Sequence, residues 1–441
     1  MSVQSYSQSL VNTIDVKLNR FGISWAQIVD YSALLSGQVG RLIFSMVYFV
    51  ILARTLSLGD FGIFASCSAI GIVLSRLVGF GYISPLFRVA TTKPTLIGVY
   101  TGGFILASLL SLPLVLATAG LIYATLYTSL LPLQAFLLFI LAEAICWRGI
   151  ETTIIVCNGQ NRYSTGALLG ISGVAIKALA AIVLLAQGDH SLTAWAPMYF
   201  LSLMVIMLAG IIFIYPKQRL RWKPKAWLGR ASDALGVSAA ETLFYLQAEM
   251  DKVLVLALGG EALSGLYAIV MRLVDLTAVP LRAFSTMLTQ WIMRSRKFGA
   301  AAKTGLKLDL VIGLTSVAAI IALAVLLSFA PQILGENIAL GASFLWLVAL
   351  VPAFRNSIEL HTELLYGHQF MASRVALLAY LGTLKAFLIT LVLGYTKDFT
   401  EVAMLLNVMF GMLYVASALV TYSRLNKKPT DQTGTPDQTA S

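Results

Sequence analysis

The chain has 441 residues, 58% of them hydrophobic and only 12% charged, and its mean hydropathy is +0.84. Soluble domains carry about a quarter charged residues, so this composition excludes a water-soluble enzyme or binding module and describes an integral membrane protein. The net charge of +11 does not point to nucleic acid, because the basic residues are spread over short connections rather than gathered on one soluble face.

The opening segment MSVQSYSQSLVNTIDVKLNRFG has no apolar core of signal-peptide length, so no cleaved leader is expected. Residues 1–31 read as an N-terminal tail. Apolar runs of about 20 residues then recur, the length that about 30 Å of hydrocarbon demands of a helix. Twelve spans are expected: 32–54, 61–86, 96–118, 130–153, 163–186, 193–215, 232–258, 262–291, 305–330, 339–366, 372–395 and 401–423. Barrel strands would alternate over about 10 residues instead. The fold class is therefore an all-α polytopic membrane protein. Residues 32–215 form a first six-helix bundle, 216–231 a basic linker, 232–424 a second six-helix bundle, and the polar stretch 425–441 a disordered tail.

Lys and Arg sort by loop parity. Lys17 and Arg20 lie before the first span, Arg88 and Lys93 after the second, Arg162 after the fourth, and the run PKQRLRWKPKAWLGR after the sixth. Arg294, Arg296 and Lys297 follow the eighth span, Arg374 opens the eleventh, and Arg424, Lys427 and Lys428 close the series; the opposite connections offer Arg54 and Lys397. By the positive-inside rule both termini are cytoplasmic, and the basic linker is expected against anionic head groups. The three cysteines, Cys67, Cys146 and Cys157, sit in apolar segments without metal or disulfide spacing and read as small buried hydrophobes. No cofactor or metal site is expected.

The halves echo each other. ARTLSLGDFGIFASCSAIG (53–71) matches LALGGEALSGLYAIVMRLV (256–274), with Gly62-Ile63-Phe64-Ala65 set against Gly265-Leu266-Tyr267-Ala268. Each copy lies between the first and second helix of a six-helix half, and both halves start on the same side. A parallel repeat of this kind implies a substrate path between the halves and alternating access.

Charges interrupt the apolar spans. The cations are Arg41, Arg76, Arg148, Lys177, Lys252, Arg272, Arg282, Arg355 and Lys385; the acids are Glu143, Glu151, Glu241, Glu249, Asp251, Asp275, Glu359 and Glu363. Each costs about 2.5–3.5 kcal/mol near a helix centre on insertion scales, so they must face one another or water. Arg76, Lys177, Arg272, Arg355 and Lys385 sit roughly 13–20 Å deep at 1.5 Å per residue, whereas Arg148, Glu151 and Arg282 are shallow enough to snorkel. Spacing permits self-neutralising pairs within a helix, Arg355 with Glu359 and Arg272 with Asp275. In YLQAEMDKVLVLALGG (245–260), Glu249 and Lys252 share a face with the upstream Glu241, while Asp251 falls off that stripe and is expected to bind a neighbouring helix. His361 reads as a solvated polar helix end beside Glu359 and Glu363.

SGQVGRLIFSMVYFVILARTLSLGDFGIFA and AEMDKVLVLALGGEALSGLYAIVMRLVD together resemble the openings of the two halves of the polysaccharide transporters, the Wzx-like flippases of the multidrug/oligosaccharidyl-lipid/polysaccharide exporter superfamily. The resemblance implies a V-shaped pair of six-helix bundles, and it implies flipping of an undecaprenyl-pyrophosphate-linked oligosaccharide in the bacterial inner membrane for exopolysaccharide, capsule or O-antigen assembly. A polysaccharide polymerase and a chain-length regulator are the protein partners implied, beside membrane lipids. The candidate substrate-binding cations are Arg41, Arg76, Lys177, Lys252, Arg272, Arg355 and Lys385, because a guanidinium fork matches phosphate oxygens. Glu241, Glu249, Asp251 and Asp275 are candidates for ion coupling.

Two alternatives stand beside this reading. A multidrug or organic-cation exporter of the same superfamily should show an acid-dominated cavity, whereas the deep set here is mostly basic. A membrane glycosyltransferase or polymerase would need a carboxylate or His cluster on a sizeable loop, and no such loop or catalytic motif is present.

Overall fold

Residues 25–295, 302–329, 334–368 and 370–426 are described by the computed structural model, and among them the regular structure is entirely helical. Helices satisfy every backbone donor and acceptor within the segment, which hydrocarbon requires. The chain divides into two compact units, Met1–Thr242 and Leu243–Ser441. Unit 1 holds α1 (Trp25–Thr55), α2 (Leu58–Ser75), α3 (Ile83–Thr92), α4 (Pro94–Tyr127), α5 (Leu133–Gly159), α6 (Tyr163–Gln187), α7 (Leu192–Ile214), the short α8 (Pro224–Leu228) and the first turns of α9 (Ala231–Gly259). Unit 2 holds the rest of α9 and then α10 (Glu261–Ser295), α11 (Ala302–Phe329), α12 (Glu336–Ser343), α13 (Val351–Gly367), α14 (Met371–Tyr395) and α15 (Phe399–Leu425).

Among the described residues, nine helices are long and apolar enough to cross a membrane. The other three expected spans fall on α1, α9 and the α12–α13 pair. Helix α1 begins at Trp25 rather than at 32, and α15 ends at Leu425. Residues 1–24 and 427–441 of the expected tails lie outside the described residues.

Two expected spans are broken. The run 61–86 ends as an α-helix at Ser75, passes through Gly79 (φ 74°), Phe80 (φ 45°) and Gly81 (φ 75°), and restarts as α3. The freed backbone groups find partners inside unit 1. Gly79 N–H donates to Ser111 Oγ at 3.0 Å, and the Arg76 carbonyl accepts from Ser238 Oγ at 2.8 Å. Gly81 needs both its left-handed φ and its missing Cβ, because the Ala234 carbonyl of α9 lies directly against it. The run 339–366 is likewise split into α12 and α13. There Asn407 of α15 accepts from Leu350 N–H at 3.1 Å and donates to the Leu347 carbonyl at 2.5 Å, and Pro352 restarts the helix.

The 216–231 segment packs on unit 1. Gln218 accepts from Gly98 N–H at 3.1 Å and donates to the Pro94 carbonyl at 2.8 Å, the Tyr100 hydroxyl donates to the Ala226 carbonyl at 3.0 Å, and Trp227 is buried. The division between the units falls downstream of it, inside α9.

Each unit has its own interior. In unit 1, Phe64, Phe139, Trp195 and Tyr199 pack ring to ring with centroids 5.3–6.3 Å apart. In unit 2, Ile312, Leu360, Leu364 and Leu425 join α11, α13 and α15. The exposed faces remain apolar, with Leu109, Leu121, Leu168, Leu314 and Leu419 all turned outward. That is a surface suited to lipid rather than water.

Candidate functional site

The embedded charges of unit 1 fall into three groups. The first is built on α5, where a π-helical turn at Ala142–Trp147 interrupts the α-helix and carries both Glu143 and Trp147. Such turns re-aim side chains and recur at functional sites. The Lys177 ammonium of α6 stands 5.0 Å from the Trp147 ring centroid, 5.5 Å from Tyr48 of α1 and 5.5 Å from Tyr199 of α7. The Arg41 guanidinium of α1 lies 5.7 Å from the same Trp147 ring. Gly170 lets the stem of Arg41 run close along α6, since a Cβ there would stand 3.3 Å from Arg41 Cδ. Two of the expected site cations are thus gathered around one indole.

The second group is a knot of four charges. Arg76, just past the end of α2, meets Glu151 at 2.9 Å and Glu241 at 3.8 Å; Arg148 meets Glu151 at 2.8 Å and Glu241 at 3.3 Å. Both arginines are buried, at 3% and 1% exposure. Arg148 therefore does not snorkel as its shallow sequence position suggested. It turns inward because two carboxylates are available there.

The third is Glu143 itself, 5% exposed. It accepts from Ser68 Oγ at 2.9 Å and from the Tyr199 hydroxyl, and it takes part in none of the ion pairs among the described residues.

Unit 2 is arranged differently. Lys385 of α14 meets Asp251 of α9 at 2.7 Å and also donates to the Gln247 carbonyl at 3.0 Å, while the Tyr267 hydroxyl donates to Asp251 at 2.7 Å. Arg355 of α13 meets Asp275 of α10 at 2.8 Å, Arg282 of α10 meets Glu359 of α13 at 2.9 Å, and Arg374 of α14 meets Glu363 of α13 at 3.3 Å. Lys252 pairs with Glu249 one turn before it. Arg272 lies half-buried on α10.

These pairs correct part of the expected pattern. Arg355 does not turn to Glu359 on its own helix, nor is Arg272 the closest partner of Asp275; each acid is matched by a cation from a neighbouring helix. Asp251, off the stripe of Glu249 and Lys252, binds its neighbours α14 and α10 as expected.

His361 is no solvated helix end. It is fully buried, with Nδ1 3.0 Å from Ser417 Oγ and Nε2 3.0 Å from Asp309 Oδ2. Two residues along a helix turn the side chain about 200°, which takes His361 away from Glu359 and Glu363 toward α11 and α15. Asp309, 4% exposed, also accepts from Tyr422 at 2.6 Å and Tyr414 at 3.2 Å. Sequence reasoning passed over Asp309 because it stands near the start of an apolar run, where an acid reads as interfacial. Among the described residues no set of three or more His, Cys, Asp or Glu side chains converges to hold a metal ion.

No protein-family model matches the chain, and no curated protein matches it by sequence. Solved structures do match it. A multidrug resistance MATE family transporter of the MOP superfamily, in an inward-facing conformation, aligns with a TM-score of 0.65 at 14% identity over 88% of this chain and 98% of that one. A MATE protein in complex with MaD3S aligns at 0.56 and 15% identity over 88% and 95%. A MOP superfamily transporter from Pyrococcus furiosus, described as having a binding pocket of reverse polarity, aligns at 0.53 and 13% identity over 90% and 94%. At such identities the likeness shows the fold alone, one that this chain shares with structures of MOP-superfamily transporters.

Proposed function

We propose that this membrane transporter flips a lipid-linked oligosaccharide with an anionic, pyrophosphate-type head group across a bacterial inner membrane by alternating access, with both termini cytoplasmic. The observation that supports this best is the pairing of Arg41 and Lys177 on the Trp147 ring, flanked by Tyr48 and Tyr199. Cations and ring faces in one place suit a ligand with phosphate at one end and sugar beside it. The guanidinium and ammonium supply charge-assisted donors to phosphate oxygens, and flat ring faces accept the apolar faces of sugar rings. The sequence resemblance to the polysaccharide transporters points the same way.

In unit 2 the candidate cations Arg355 and Lys385 are matched by acids of neighbouring helices, so their role in this reading is to hold helices together, while Lys252 is matched by Glu249 within α9. Arg76 does the same in unit 1. A polysaccharide polymerase and a chain-length regulator remain the proposed protein partners, as consumers of the flipped unit.

A second reading, export of organic cations, draws on the multidrug transporters among the structural neighbours and on Glu143, an acid close to the ring cluster. It is disfavoured by Arg41 and Lys177, which would stand against an incoming cation at the same rings.

The test is flipping of a fluorescent undecaprenyl-pyrophosphate oligosaccharide in proteoliposomes. Arg41→Ala and Lys177→Ala should each lower the rate about tenfold, the worth of one charge-assisted contact, while Arg282→Ala stays near wild type. Wild-type rates for both ring-bound variants would remove the proposed site.

A further inference from the structure

The rings around Lys177 come from α1, α5 and α7, and the lysine from α6, so four helices converge on one ammonium nitrogen. Ring faces around a cationic centre within about 6 Å recognise substituted ammonium ligands. The spacing is informative. A methyl carbon packs about 3.5–4.0 Å from ring atoms and sits about 1.5 Å from its nitrogen, which together place a methylated nitrogen roughly 5 Å from a ring. Lys177 Nζ lies 5.0–5.5 Å from its three rings, a distance that would admit methyl groups between nitrogen and ring. Behind the rings, the Tyr199 hydroxyl donates to Glu143, which feeds electron density into the phenol and strengthens its hold on a cation.

We infer that this cage is an alkylammonium-binding site plugged by the chain's own lysine, and that Lys177 is the specificity-determining residue that keeps small organic cations out of unit 1. The inference stands on the cage alone and holds whichever lipid-linked substrate is flipped. It also gives Glu143 a role: with the plug removed, an incoming ammonium ion meets three rings and a nearby buried carboxylate.

The probe is tetramethylammonium chloride, titrated into purified protein in detergent at constant ionic strength against sodium chloride, with binding read by calorimetry. Lys177→Met and Lys177→Gln should bind it at least about tenfold more tightly than wild type, a gain within the range of desolvated cation–ring contacts. Adding Trp147→Leu to either variant should abolish the gain. Variants that bind no better than wild type, or a gain that survives loss of Trp147, would overturn the inference. Should both lysine variants fail to fold, the native protein still decides the matter. Saturating tetramethylammonium should displace Lys177 from the rings and speed its acylation by a membrane-permeant reagent, with the rate at the exposed Lys217 unchanged. An unaltered Lys177 rate counts against the plug. Because no glycolipid is present, failure of the flippase reading would leave these results untouched.

Discussion

The two units solve the same problem, charge inside a membrane, in different ways. Unit 2 matches cation to acid across helix pairs: Lys385 with Asp251, Arg355 with Asp275, Arg282 with Glu359, Arg374 with Glu363. Unit 1 gathers Arg76, Arg148, Glu151 and Glu241 into one knot and sets Arg41 and Lys177 against aromatic rings. An ion pair in hydrocarbon is a strong tether but offers little to a third charge. A ring attracts a cation through its quadrupole and does not neutralise it. In the proposed function unit 2's charges serve cohesion and unit 1's ring-bound cations serve recognition.

The largest expected effect separates two lysines. Lys385 and Asp251 have side-chain exposures of 5% and 3%, so Lys385→Ala leaves an uncompensated buried carboxylate and should destabilise by about 3–5 kcal/mol. Lys177→Ala forfeits contacts with ring faces, worth about 2 kcal/mol. Thermal unfolding in detergent should therefore rank Lys385→Ala well below Lys177→Ala, and the double variant Asp251→Asn/Lys385→Met should recover most of the loss. Equal destabilisation by the two lysine variants would break the comparison.

A smaller effect sharpens it. Arg282 spans Glu359 and Asp275 but is 47% exposed, and its shallow place in the span lets its head group snorkel to water. Arg282→Ala should cost no more than about 1 kcal/mol and lose that cost in high salt. A salt-independent loss of several kcal/mol would mean that exposure does not grade these pairs.

Much of the fold was legible because lipid imposes a simple rule on sequence. Apolar runs marked the helices, and the echo of Gly62–Ala65 in Gly265–Ala268 falls in early turns of α2 and α10, each after a short turn from the preceding helix. The breaks were not legible, because hydropathy stays high straight through Gly79–Gly81 and residues 344–350. The backbone there is rescued by Ser111, Ser238 and Asn407, partners distant in sequence.

The charges were half legible. Helical spacing correctly set Asp251 off from Glu249 and Lys252, since that is a property of one helix. It could not reveal that Arg355 prefers Asp275 to Glu359, or that His361 turns to Asp309, since those choices are made between helices. The aromatic partners of Lys177 were missed for the same reason. Tyr48, Trp147 and Tyr199 are far apart in sequence, and only the packing of α1, α5 and α7 against α6 brings them to Lys177.

The most direct test of a recognition role for unit 1's cations offers the reconstituted wild-type protein two cargoes of opposite charge. Proteoliposomes would receive either a fluorescent undecaprenyl-pyrophosphate oligosaccharide or the organic cation ethidium, and the movement of each would be compared with empty vesicles. The account predicts flipping of the anionic glycolipid, with ethidium crossing no faster than in empty vesicles. Protein-dependent ethidium transport without glycolipid flipping would contradict it.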